Sequence, residues 1–61
     1  MTILNNIANK REAKKELSNI GINGKKLYSV DTQDHVLYYF HDEPCAVLDK
    51  NKKELEVFEK C

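Results

Sequence analysis

The chain has 61 residues, and its ten lysines and arginines are balanced by ten aspartates and glutamates. This length predicts one domain, residues 1–61, that buries only about 60% of its unfolded surface and gains stability from association. The zero net charge argues against a typical nucleic-acid binder, and no apolar run approaches the roughly 18 residues of a membrane span.

The first predicted element is a helix over residues 2–20. Ala13 and Leu17 are four residues apart, which places both side chains on one helical face. Gly21 predicts a left-handed residue just past the helix end. Ile22 follows it and is placed to contact Leu17, as in a Schellman motif. The helix should therefore end at about residue 20.

The beginning of this helix is irregular. Thr2 is a candidate N-cap, but the apolar cluster that ends at Ile7 lies six residues before Ala13, or roughly 240° around a helix. The two apolar groups therefore face different directions. Either the chain breaks or bends near Asn9 and covers the edge of the core, or the first turns contact a partner or a second copy.

Four β-rich runs separated by turn-like residues follow the helix. We predict strands over residues 26–31, 35–41, 45–49 and 53–58. The fold class is therefore α+β, with one N-terminal helix packed on one face of a four-stranded antiparallel meander.

When neighbouring predicted strands are paired across their turns, the three resulting registers are consistent with one another. They include Tyr28–Leu37, Tyr39–Ala46 and Leu48–Leu55. One face of the sheet is then uniformly apolar, and we assign it to the helix and the core. Its members are Tyr28, Val30, Leu37, Tyr39, Ala46, Leu48, Leu55 and Val57.

The opposite face is expected to remain open and to bind a partner. Its predicted binding residues are Val36, Tyr38, Phe40, Val47, Glu54, Glu56 and Phe58. We expect Tyr38 and Phe40 to act as anchors, with Glu54 and Glu56 at a wet rim. Covering about 400 Å2 of this face contributes on the order of 10 kcal/mol before entropic costs, so we expect the protein not to be a bare monomer.

Three residues are candidates for metal or thiol chemistry. His35 and His41 lie at opposite ends of one predicted strand, about 20 Å apart, and cannot share an ion with Cys45. Phe40 is paired with Cys45 in the predicted register, so an apolar environment should raise the pKa of that thiol. We expect no catalytic residue, no cofactor and no metal, and we do not expect an enzyme.

The most consistent interpretation is a small non-enzymatic protein-binding module. It would act as a stoichiometric inhibitor or regulator of a larger protein with a basic patch. Abundant Lys, Asn and Ile suggest a low-GC bacterial or phage origin. The alternatives are a homodimer formed through the same face and a single-stranded nucleic-acid binder that stacks bases on the sheet aromatics. The neighbouring acidic side chains would repel the phosphates of a nucleic acid, which favours a protein as the partner.

The two cysteines, Cys45 and Cys61, do not form a framework of disulfides. We expect both as reduced thiols in a cytoplasmic protein, and an intermolecular bridge through Cys61 is the alternative. The first residues have neither a basic segment nor an apolar one, so the sequence predicts no signal peptide.

Overall fold

The structure is a computed structural model and describes residues 2–58. It confirms an α+β fold with an antiparallel sheet, although the sheet has five strands within these residues instead of four. The elements are β1 (Thr2–Leu4), α1 (Lys10–Asn19), β2 (Leu27–Asp31), β3 (His35–Phe40), β4 (Glu43–Asp49) and β5 (Glu54–Val57). The strand order is β1-β5-β4-β3-β2, so α1 connects the two edges of the sheet across one face.

The predicted helix start is wrong, because the chain begins with a strand. In β1, Thr2 pairs with Val57 at the far edge of the sheet. The helix begins at Lys10, where the side chain of Asn9 accepts the backbone N–H of Glu12 at 3.0 Å and replaces Thr2 as N-cap. The chain therefore breaks near Asn9, as the first of the two interpretations proposed.

The predicted helix end is confirmed in its hydrogen bonds. The N–H of Ile22 donates to the carbonyl of Leu17 at 2.9 Å, and the N–H of Gly21 donates to that of Ser18 at 3.0 Å. These two bonds define a Schellman motif. Gly21 has φ of 91°, which glycine adopts without a steric penalty, and both Leu17 and Ile22 are buried.

The turn between β3 and β4 is tighter than the sequence suggested. His41 and Asp42 both have positive φ, 54° and 63°, as a two-residue type I′ turn requires. Phe40 consequently pairs with Glu43, and β4 begins two residues before the predicted start at residue 45, so that it includes Pro44. The remaining strands begin and end within a residue or so of their predicted bounds.

A bulge in β4 changes the register expected between β3 and β4. Tyr39 pairs with Pro44 but Tyr38 pairs with Ala46, so Cys45 is an extra residue in β4. Beyond this bulge the register differs by one residue from the expected Tyr39–Ala46 pairing. A one-residue difference exchanges the two faces of a strand. Side chains of β3 that we assigned to the open face therefore point to the core.

In the other two hairpins the paired strands keep together the side chains that we expected to share a face, although β2 follows β3, so Tyr28 and Val30 lie opposite the core where we expected them in it. Leu48 pairs with Leu55, as predicted. Tyr28 pairs with Tyr39, two residues from the expected Leu37, and a difference of two residues leaves the facing of each strand unchanged.

The core lies between α1 and the sheet. Its buried members are Ile7, Ala13, Leu17, Ile22, Val36, Tyr38, Cys45, Ala46, Leu48, Leu55 and Val57. The assignment of Val36, Tyr38 and Phe40 to an open face is thus wrong, since the first two are buried and Phe40 packs against the core. Leu37 and Tyr39, expected in the core, lie on the opposite face.

The buried Tyr38 hydroxyl lies at the beginning of the helix, where it donates to the carbonyl of Lys10 at 3.2 Å. Burial and the nearby charge of Asp31 raise the pKa of Tyr38 to about 12. As a whole, Tyr38 is 3% exposed. Tyr38 is therefore a core residue that connects β3 to α1.

Cys45 is buried in the bulge and is disulfide-bonded, so the expected reduced thiol at this position is wrong. The expectation for Cys61 lies outside the described residues. No helix in residues 2–58 has both the length and the apolar character needed to cross a membrane.

Candidate functional site

The candidate site is the sheet face opposite α1. The registers of the five strands place one set of side chains on this surface: Ile3, Tyr28, Val30, His35, Leu37, Tyr39, Val47, Asp49, Glu54 and Glu56. All of them are exposed or only half-buried. We call this surface the open face. It has an apolar region near β2 and an acidic region near β5.

Two tyrosines dominate the apolar region. The rings of Tyr28 and Tyr39 stack with centroids 5.2 Å apart and planes 7° from parallel. Tyr28 is 46% exposed and Val30 is 44% exposed. Val30 pairs with Leu37, which pairs with Val47, so an apolar row continues across β2, β3 and β4. Aromatic rings fixed by stacking lose little side-chain entropy when they bind another surface.

Carboxylates dominate the other region. Asp49 and Glu54 are direct cross-strand partners, and Glu56 lies opposite Val47 one row further along. Like charges that oppose each other across a sheet are destabilising. Among the side chains of this face, the His35 imidazole approaches Asp49, with its Nε2 3.8 Å from the carboxylate. The acidic region is thus a cluster that a cationic partner would stabilise.

Asp49 is held in its ionised form by the following loop. Its Oδ1 accepts the backbone N–H groups of Lys52 at 3.0 Å and Asn51 at 2.9 Å. The N–H of Lys52 is the main cause that lowers the pKa of Asp49 below its usual range. Partial desolvation opposes this effect, whereas the N–H of Asn51 and the charges of His35 and Lys52 add to it. This carboxylate therefore remains negative at neutral pH.

A shallow depression of about 140 Å3 lies within the acidic region. It is lined by Ile3, His35, Val47, Asp49, Lys52, Glu54 and Glu56. Its position between carboxylates, with apolar walls from Ile3 and Val47, suits a long cationic side chain such as Arg or Lys, whose stem is apolar and whose end is charged.

The structure places the predicted binding residues in three different environments. Val47, Glu54 and Glu56 lie together on the open face. Val36, Tyr38 and Phe40 contribute to the opposite, helix-covered side. Phe58 directly follows β5 and is half-buried, with its N–H donating to the carbonyl of Cys45 at 2.8 Å.

The aromatic pair on the open face was not predicted from the sequence. Tyr28 and Tyr39 were expected in the core because both faces of β3 are apolar, which leaves periodicity without a preferred side. The available signal was Pro44. Proline has no N–H for the ladder, and within sheets it is found at edges, strand starts or bulges. A bulge beside Pro44 would have exchanged the faces of β3 in the predicted register.

Within residues 2–58, no group of three or more His, Cys, Asp or Glu side chains is arranged to hold an ion. The two histidines flank β3 at opposite ends, His35 as its first residue and His41 in the turn after it.

Comparison of the chain with protein-family models, with curated proteins and with solved structures gives no match in any of the three. The surface chemistry of the protein itself therefore carries the functional proposal.

Proposed function

We propose that this chain is a small non-enzymatic protein-binding module and that the open face is its contact surface. The observation that carries the proposal is the combination of an exposed stacked pair, Tyr28 and Tyr39, with a continuous apolar row through Leu37. Contiguous exposed apolar surface on a small protein marks interaction sites, and tyrosines are enriched among the residues that dominate binding energy.

The acidic region defines the chemistry of the partner. Burying Glu54, Glu56 or Asp49 without a counter-charge would be costly, because desolvating an unpaired carboxylate is expensive. A partner with Arg or Lys beside an apolar patch satisfies both halves of the open face. We therefore propose a larger protein with a basic patch, which this chain binds stoichiometrically as an inhibitor or regulator.

A cytoplasmic location is not part of the proposal. It was expected from reduced cysteines, whereas Cys45 is disulfide-bonded, and disulfides are typical of oxidising compartments.

The first experiment is affinity capture with a matched pair of variants. Leu37→Ala with Tyr39→Ala removes apolar contacts from the open face, whereas Ile20→Ala removes an exposed apolar side chain at the helix end, 55% exposed and remote from that face. We expect a protein captured by the wild type and by Ile20→Ala to bind the double variant at least about tenfold more weakly, the effect of losing roughly 1.4 kcal/mol. Equal capture by all three would contradict the proposal.

A nucleic-acid interface is the second candidate, because exposed stacked tyrosines such as Tyr28 and Tyr39 can also stack on bases. The variant Glu54→Lys with Glu56→Lys separates the two candidates. For a basic protein partner, this charge reversal should slow association and reduce its salt dependence, since rim charges act mainly on the on-rate. For single-stranded nucleic acid it should tighten binding. Strong oligonucleotide binding by the wild type would favour the second candidate.

A further inference from the structure

The charged side chains of this chain are segregated onto opposite sides of the sheet. The acidic region lies on the open face, whereas the helix that covers the other side carries four cations within its first six residues. All four cations are exposed. They are Lys10, Arg11, Lys14 and Lys15. The zero net charge of the chain therefore does not mean a uniformly neutral surface.

Three of these cations are available for a contact outside the chain. Lys10 already forms an ion pair with a carboxylate of its own chain, but within residues 2–58 no ion pair involves the other three. Of the two acids of the helix, Glu12 accepts the N–H of Ala8 at 2.8 Å and Glu16 is half-buried. We call the three unpaired cations the basic stripe, and its members are Arg11, Lys14 and Lys15.

The basic stripe points away from the sheet and matches the acidic region in spacing. Arg11 and Lys15 each lie two residues from the buried Ala13, or about 200° around the helix. They are four residues apart, which is about 6 Å along a helix. Glu54 and Glu56 share one face of β5 and are two residues apart, which is about 7 Å along a strand. A helix that lies along β5 of another molecule therefore brings one cation over each carboxylate.

We propose that the basic stripe of one copy of this chain docks on the acidic region of the next, so that copies associate head to tail. Charge complementarity identifies a second copy as the occupant, because the cationic surface that the acidic region requires is present on the chain itself. The depression between the carboxylates has walls from Ile3 and Val47, which suit the apolar stem of an entering Arg11 or Lys15 side chain. Lys52 also lines this depression, so it neutralises the acidic region only in part.

The positions of the two surfaces determine the kind of assembly. The basic stripe and the acidic region lie on opposite sides of the sheet, so each contact leaves one stripe and one acidic region unoccupied. Such a contact is heterologous, and it adds further copies unless the rotation between neighbours closes a ring. The inference goes beyond the proposed function, because it requires no other protein. Both contacts use the acidic region, so self-association would compete with the larger partner.

The first test is the mass of the purified protein, measured by sedimentation over a concentration series at low and high salt. At an ionic strength of about 0.01 M we expect the weight-average mass to rise past that of two chains as concentration increases. At about 1 M salt the Debye length is only about 3 Å, and the protein should sediment as a single chain. A monomer at low salt, a plateau at two chains, or association that salt does not weaken would overturn the proposal.

Two variants that each lack one surface provide the decisive comparison. Glu54→Gln with Glu56→Gln keeps the basic stripe, whereas Arg11→Gln with Lys15→Gln keeps the acidic region. Each variant alone should self-associate about tenfold more weakly than the wild type or worse, since it loses two exposed ion pairs at every contact. Mixed in equal amounts, the two should form 1:1 pairs that do not grow, because each supplies the surface that the other lacks. Undiminished self-association of either variant, or no pairing in the mixture, would refute head-to-tail docking.

Matched controls remove the same charges elsewhere on the surface. Asp42→Asn with Glu43→Gln changes the connection between β3 and β4, and Lys25→Gln with Lys26→Gln changes the turn before β2, all at exposed positions. Both controls should self-associate as the wild type does, which would exclude net charge as the cause; weakening as large as in the surface variants would contradict the proposal.

Two further measurements separate this proposal from its alternatives. The variant that lacks the basic stripe keeps its open face, so it should still capture the larger protein of the proposed function. Self-association can therefore fail while that function holds, and the reverse is also true. Oligonucleotide binding that is lost with Arg11→Gln and Lys15→Gln, in a chain that stays monomeric at low salt, would overturn the proposal and assign the basic stripe to nucleic acid.

Discussion

Two leucines on opposite faces of the sheet offer a direct test of the faces described above. Leu48 is 2% exposed, points toward α1 and pairs with Val36 and Leu55. Leu37 lies half-buried on the open face. Replacing each by alanine makes the same chemical change in two environments, so any difference in stability comes from the environment.

The expected difference is large relative to the stability of the protein. Truncation of a buried leucine to alanine costs about 2–5 kcal/mol, because it combines lost transfer energy with a cavity. Leu37→Ala leaves no enclosed cavity on a solvent-facing surface and should cost about 1 kcal/mol or less. A domain of 61 residues has a total unfolding free energy of roughly 3–9 kcal/mol. Leu48→Ala should therefore remove a substantial fraction of it.

Urea unfolding followed by circular dichroism measures both variants. With a denaturant slope of about 1 kcal/mol per molar urea, Leu48→Ala should lower the midpoint by about 2 M or more, or unfold the protein without urea. Leu37→Ala should lower it by about 1 M or less. If Leu37→Ala were the more damaging change, the bulge at Cys45 and the facing of β3 would both be wrong.

Three other measurements follow from the structure. Because the pKa of Tyr38 is raised in the folded protein, the unfolded chain loses this proton first as pH rises. The free energy of unfolding should therefore fall by up to about 3 kcal/mol between pH 10 and 12. When the free energy of unfolding is measured across this pH range, the decrease should be absent in Tyr38→Phe and present in Tyr39→Phe. Asp49 has a lower pKa in the folded protein than in the unfolded chain, so its carboxylate stabilises the fold at pH values above the unfolded-state pKa. This stabilisation is lost as pH falls through the folded-state pKa, so the free energy of unfolding should decrease less steeply with falling pH in Asp49→Asn than in the wild type. Thermal unfolding should show that Asn9→Ala costs about 1 kcal/mol through loss of the N-cap, whereas Thr2→Ala, which has no such role, should cost less.

Features of the fold that depend on neighbouring residues were predictable from the sequence. The helix end follows from the positions of Leu17, Gly21 and Ile22, since the glycine allows the left-handed turn and the two apolar residues then meet. The Leu48–Leu55 pairing follows from a short connection between alternating runs. In both cases the interacting residues are close along the chain.

The helix start was also within reach of local signals. Asn9 is followed three residues later by Glu12, whose carboxylate accepts the N–H of Ala8 at 2.8 Å while its own N–H donates to Asn9. This is close to the reciprocal pattern of a capping box. The strand β1, however, pairs Thr2 with Val57, near the other end of the described chain. A three-residue segment has no periodicity that could have indicated that pairing.

The candidate site was predictable only where the register was right. Val47, Glu54 and Glu56 were assigned to the open face correctly, because they belong to β4 and β5, whose pairing has no irregularity. Tyr38 and Phe40 were misplaced, because the expected register of β3 omitted the single residue that Cys45 inserts. The error affects all of β3, and β2 with it because their mutual register is regular, and it leaves β4 and β5 unaffected.

The arrangement of tyrosines explains why the bulged register suits this chain better than the regular one. Buried tyrosine hydroxyls need a hydrogen-bond partner, and Tyr38 finds one in the carbonyl of Lys10 at the beginning of α1. In the regular register Tyr28 and Tyr39 would both lie beneath the helix, where two hydroxyls would compete for such partners. On the open face their hydroxyls can be hydrated while their stacked rings present an apolar surface. The bulge therefore places the two aromatic residues that tolerate water on the solvent-exposed side of the sheet, which is the surface proposed to bind a partner.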